Sequence, residues 1–95
     1  MGALAMALPL AAWQTAMMRP EPGSPDYAAY MTSRGYECGL NVQRGRLIAV
    51  QRGPDRAAYV SAGQRYAVRA YNKPEGCGTI ERAGVAAELR RLAQP

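Results

Sequence analysis

Two cysteines, Cys38 and Cys77, lie far apart in a chain of 95 residues that has no histidine. The missing histidine removes the usual general base, the commonest metal ligand and every histidine-based triad. Two cysteines alone cannot complete an ordinary structural zinc site either. No metal and no cofactor is therefore expected, and enzymatic function is disfavoured. Three readings remain for Cys77, which sits in "NKPEGCGTIERAG", residues 72–84. A helix N-terminus and the nearby Lys73 would lower a thiol pKa, but there is no second cysteine at C-x-x-C spacing and no base to assist. Gly76, Gly78 and a helix start at Thr79 would present N–H groups to an anion. The Gly-Lys-Ser/Thr ending of a phosphate loop is absent, however, and Glu75 repels phosphate. The reading favoured is a Cys38–Cys77 disulfide, consistent with the even cysteine count. On the chain-entropy model it would stabilise by about 4 kcal/mol, a large share of the roughly 5–15 kcal/mol that holds a domain folded.

A staple matters here because the foldable part is small. Residues 1–18, "MGALAMALPLAAWQTAMM", carry no charged side chain. Within them "ALAMALPLAA" has the length of a signal-peptide apolar region and is short for a membrane span, with Pro9 in its middle. Cleavage after Ala12 or Ala16 would meet Leu10 or Gln14 where small side chains are preferred, and no basic residue precedes the run. The segment is read as signal-like, with an uncleaved membrane anchor and a packed terminal helix as alternatives. Residues 19–25, "RPEPGSP", read as an extended proline-rich linker. Residues 26–95 are left as one small domain, of a size that often needs a disulfide, metal or partner to supplement its core.

Local patterning predicts an α+β fold. Ser24 before Pro25 is an N-cap followed by proline at the first helical position. Tyr27, Tyr30 and Met31 follow on one face of a short helix read as core, with Arg34 near its end and Gly35 just beyond. "ECGLNVQ", "LIAVQR", "RAAYVS" and "QRYAVRAY" read as four strands of an antiparallel meander, separated by "RGR", "GPD" and "AG". In the last strand Tyr66, Val68 and Ala70 would share the core face. Thr79 reads as the N-cap of a final helix with Glu81 in its first turn. Its stripe of Val85, Ala86, Leu89, Leu92 and Ala93 would lie across one face of the sheet.

The net charge is +5, and its positive part is concentrated centrally. Arg44, Arg46, Arg52, Arg56, Arg65, Arg69 and Lys73 are opposed between Cys38 and Pro74 by Asp55 alone. The six arginines are the candidate anion-binding residues, although a solvated surface in an arginine-biased composition accounts for them as well. On a meander they divide between two rims: Arg44, Arg46 and Arg65 at one, Arg52, Arg56, Arg69 and Lys73 at the other. A divided charge serves nucleic acid poorly, and no nucleic-acid-binding motif supports it.

These residues together lead to the expectation of a small exported protein, periplasmic or secreted, of bacterial-envelope type. It would be non-catalytic, binding or structural in role, and held by Cys38–Cys77. Its expected partner is a protein or an anionic envelope component, with membrane contact through residues 1–18 if they are retained. The alternative is an arginine-rich binder of an anionic polymer such as nucleic acid.

Overall fold

A computed structural model describes residues 20–95; the signal-like or anchoring segment read in residues 1–18 lies outside them. The described residues form four helices and no strand: α1 (Pro25–Glu37), α2 (Arg44–Ala49), α3 (Pro54–Asn72) and α4 (Thr79–Leu92). The expected α+β fold with its four-stranded meander is therefore wrong.

The entry to α1 follows the sequence. The Ser24 side chain accepts from the Tyr27 N–H at 3.1 Å, and Pro25 opens the helix. Its end lies further on than expected. Gly35 is inside the helix, and the stop is at Gly39, whose φ of +72° suits glycine. The Leu40 N–H donates to the Gly35 carbonyl at 2.9 Å and the Gly39 N–H to the Tyr36 carbonyl at 3.0 Å. This is a Schellman closure, and it satisfies carbonyls that the last turn would otherwise leave bare. The first supposed strand, "ECGLNVQ", is thus the end of α1 and the loop after it.

The supposed third and fourth strands are one helix. Pro54 and Asp55 fall in the first turn of α3, where a missing N–H costs nothing and a negative charge is favoured. Tyr59 and Ala62 are buried, and Tyr66 packs against the same core a turn further on. Val68, which a two-residue period assigns to the core with Tyr66, is 61% exposed. Five alanines between Ala57 and Ala70 supply the strongest intrinsic helix preference. The second supposed strand, "LIAVQR", is the last half of α2, with Leu47 turned inward, and the loop after it.

The final helix forms where expected, with Gly78 rather than Thr79 as its N-cap. It buries Val85 and Leu89 against α1 instead of against a sheet. α1 packs against both α3 and α4, and α2 lies on α3. The fully buried positions of α1 are mostly small: Ala28, Ala29, Thr32 and Gly35. Tyr27, Tyr30 and Met31 are half-buried beside them. Small side chains let neighbouring helices approach closely. At Gly35 an added Cβ would lie 2.6 Å from Leu89 Cδ1 and 2.8 Å from Val42 Cγ2. Between α1 and α3, Tyr59 brings its hydroxyl 2.7 Å from Thr32 Oγ1. Thr32 spends its own proton on the Ala28 carbonyl at 2.8 Å, so Tyr59 is the donor. Burial raises the Tyr59 pKa.

Candidate interaction groove and stapled joint

Cys38 caps α1 and Cys77 lies in the connection before α4. Their sulfurs are bonded, with Cα atoms 5.1 Å apart and a sequence separation of 39. The expected pairing is thus present, made by the connection before α4 returning to the end of α1. With both sulfurs in the bond, Cys77 is not a thiolate nucleophile.

Arg34 reinforces this joint and is the residue whose role the sequence least revealed. It is only 4% exposed. Nη2 donates to Glu81 Oε2 at 2.6 Å and to the Gly76 carbonyl at 2.9 Å, and Nη1 donates to Glu37 Oε1 at 2.9 Å. Glu37 Oε2 in turn accepts from the Glu75 N–H at 2.9 Å. Burial works against the guanidinium charge, but the hydrogen bonds it donates to Glu81 and Glu37 overcome this and raise its pKa. Patterning places Arg34 near a helix end and gives it no further role. The available signal was the set of acids bracketing the cysteines, Glu37 beside Cys38 and Glu75 and Glu81 around Cys77. In this loop the Glu75 N–H and the Gly76 carbonyl are taken up by Glu37 and Arg34, which ties the connection before α4 to the end of α1.

The six arginines are all exposed but do not form one track. Arg44 and Arg46 lie on α2, Arg52 in the loop that follows, and Arg56 in the first turn of α3. Arg56 Nη2 donates to the Gln51 carbonyl at 3.1 Å and the Ala49 carbonyl at 3.3 Å, tying that loop down. Arg65 is about two and a half turns beyond Arg56 and projects from the opposite side of α3. It faces Asp26 at 3.4 Å, and Arg69 lies over the Tyr66 ring, 5.9 Å from its centre. The two-rim grouping drawn from a meander therefore gives way to another. Arg65 and Arg69 both lie by Tyr66, Arg44 lies beside Tyr59 and Gly63 of α3, and Arg46 faces α4.

Arg46 also borders a groove of about 490 Å³ between α4 and the segment that runs from Leu40 into α2. Leu40, Val42, Leu47, Ala86, Leu89 and Ala93 give it apolar surface, Asn41, Gln43 and Gln94 add side-chain amides, and the exposed Arg46 and Arg90 also line it. No carboxylate lines it. Neither arginine has an ion pair or side-chain hydrogen bond among the described residues. Sequence periodicity placed Ala86, Leu89 and Ala93 on one stripe but assigned them to a sheet contact. No protein-family model, curated protein or solved structure matches the chain.

Proposed function

We propose that this chain is a small exported domain of an oxidising compartment, periplasmic or secreted, acting as a non-catalytic binding or accessory module of an envelope assembly. The observation that carries the reading is the Cys38–Cys77 bond. Disulfides persist chiefly outside the reducing cytosol, and small exported domains use them to supplement a limited core. The buried Arg34 clasp around the bond supports a structural role for these cysteines over a reactive one. Among the described residues no helix is long and apolar enough to cross a membrane. Dispersal of the arginines over two sides of α3 argues against an extended polyanion track.

Intact mass after alkylation, with and without reductant, tests the reading on protein taken from its native compartment. The expected result is no alkylation until reduction, and two alkyl groups after it. Two thiols that alkylate rapidly without reductant would overturn it. Sequencing the mature N-terminus of the same material reports on processing, and export with cleavage predicts a start beyond Ala12.

A further inference from the structure

We infer that the groove between α4 and the Leu40–Leu47 segment receives an acidic amphipathic helix of a partner protein. The inference rests on reading the chain as a binding module, and it names the kind of partner. Leu47 and Leu89, both buried, lie at the bottom of the groove, and Leu40, Val42, Ala86 and Ala93 complete its apolar lining. Ala86 to Ala93 spans about two helical turns, enough for an apolar stripe at i, i+3, i+4 and i+7. Arg46 comes from α2 and Arg90 from α4, so the two guanidinium groups belong to different walls.

Charge complementarity chooses among the occupants. Residues 1–18 are apolar but uncharged and would leave both arginines unanswered. A second copy brings a net charge of +5 to an edge that is already basic. Nucleic acid answers the arginines but has no apolar stripe for the lining. A single-chain fatty carboxylate brings one anionic head where two walls each offer a cation. A helix with an apolar stripe and carboxylates on both flanks meets the lining and both guanidinium groups at once.

The test is an NMR titration of the full chain, 15N-labelled and oxidised. The probe is a synthetic helical peptide with leucines at i, i+3, i+4 and i+7 flanked by glutamates. Saturable amide shifts confined to Leu40, Val42, Arg46, Ala86, Leu89, Arg90 and their neighbours are expected, weakening as salt is raised. The double variant Arg46→Glu/Arg90→Glu should lose at least about tenfold in affinity and gain binding to a lysine-flanked version of the peptide. The milder pair Arg46→Gln/Arg90→Gln should weaken the acidic peptide in the same direction, and it serves as the readout if the first variant folds poorly. Four results would each overturn the inference: no shifts at millimolar peptide, equal binding of a glutamine-flanked peptide, the same shifts from dodecanoate, or the same shifts from raising protein concentration alone. A failed titration with cysteines still bonded in native material would remove this partner and leave the exported module standing. Free native thiols would do the reverse.

Discussion

An arginine as buried as Arg34 needs its charge answered locally, because an uncompensated guanidinium in a protein interior costs several kcal/mol. Glu81, Glu37 and the Gly76 carbonyl answer it from three chain segments. Replacement by methionine should cost about 3 kcal/mol, the lower end for a broken buried pair because the Glu81 side chain is half open to solvent. Lysine should recover only part of this, since a single ammonium cannot reproduce the forked contacts. Urea midpoints of the oxidised proteins measure both. Gly35 makes the opposite demand, for space. Alanine there gains up to about 1 kcal/mol in helix preference. Its Cβ would also displace Leu89 and the stiff Val42 side chain, at roughly 1–3 kcal/mol. A net loss of about 1 kcal/mol is expected in the same assay. Because Leu89 and Val42 also line the groove, peptide affinity should fall with it.

Between elements, the α1–α4 contact is tied at the surface by Glu88, which accepts from the Tyr27 hydroxyl and pairs with Arg91 at 2.6 Å. The Arg91 and Tyr27 hydrogen bonds hold the Glu88 carboxyl at about 2, below its ordinary 4.5. A folded-state pKa lowered in this way stabilises above the unfolded value, and the contribution is lost as pH falls from about 4.5 through about 2. Solvent screening at this open site limits it to about 1 kcal/mol. Denaturation of Glu88→Gln across pH 2–6 should converge on the parent at the acid end and fall below it at pH 6. The helix boundaries at Ser24–Pro25 and near Thr79 were legible because capping chemistry is local. The middle of the chain was misread because a run such as "QRYAVRAY" satisfies a two-residue period as well as a helical one when taken alone. Tyr59, Ala62 and Tyr66 break the tie only when Gly63 is allowed inside the helix. The pairing of Cys38 with Cys77 could be expected without the correct fold, since it followed from cysteine arithmetic and domain size. The Arg34 clasp could not be, because its partners come together only after the chain has folded.

For the whole molecule, the disulfide carries more weight than its one bond suggests, since the fully buried core is eight residues, three of them alanines. Reduction, or Cys38→Ser with Cys77→Ser, should lower unfolding stability by about 4 kcal/mol, read from denaturant midpoints with and without reductant. Hydrogen exchange after reduction should rise first in α4, which the Arg34 clasp and a modest contact with α1 must then hold alone. The position of the bond also sets how the molecule carries tension. α2 and α3 both lie inside the segment that it closes, whereas α1 and α4 lie outside it. A pull on the two ends of the oxidised chain therefore runs from α1 through the sulfur bridge into α4 and bypasses the other two helices. Single-molecule extension should show the reduced chain longer than the oxidised one by about 130 Å, the reach of the enclosed residues. An assembly that strained this domain would load two of its helices and leave the other two slack.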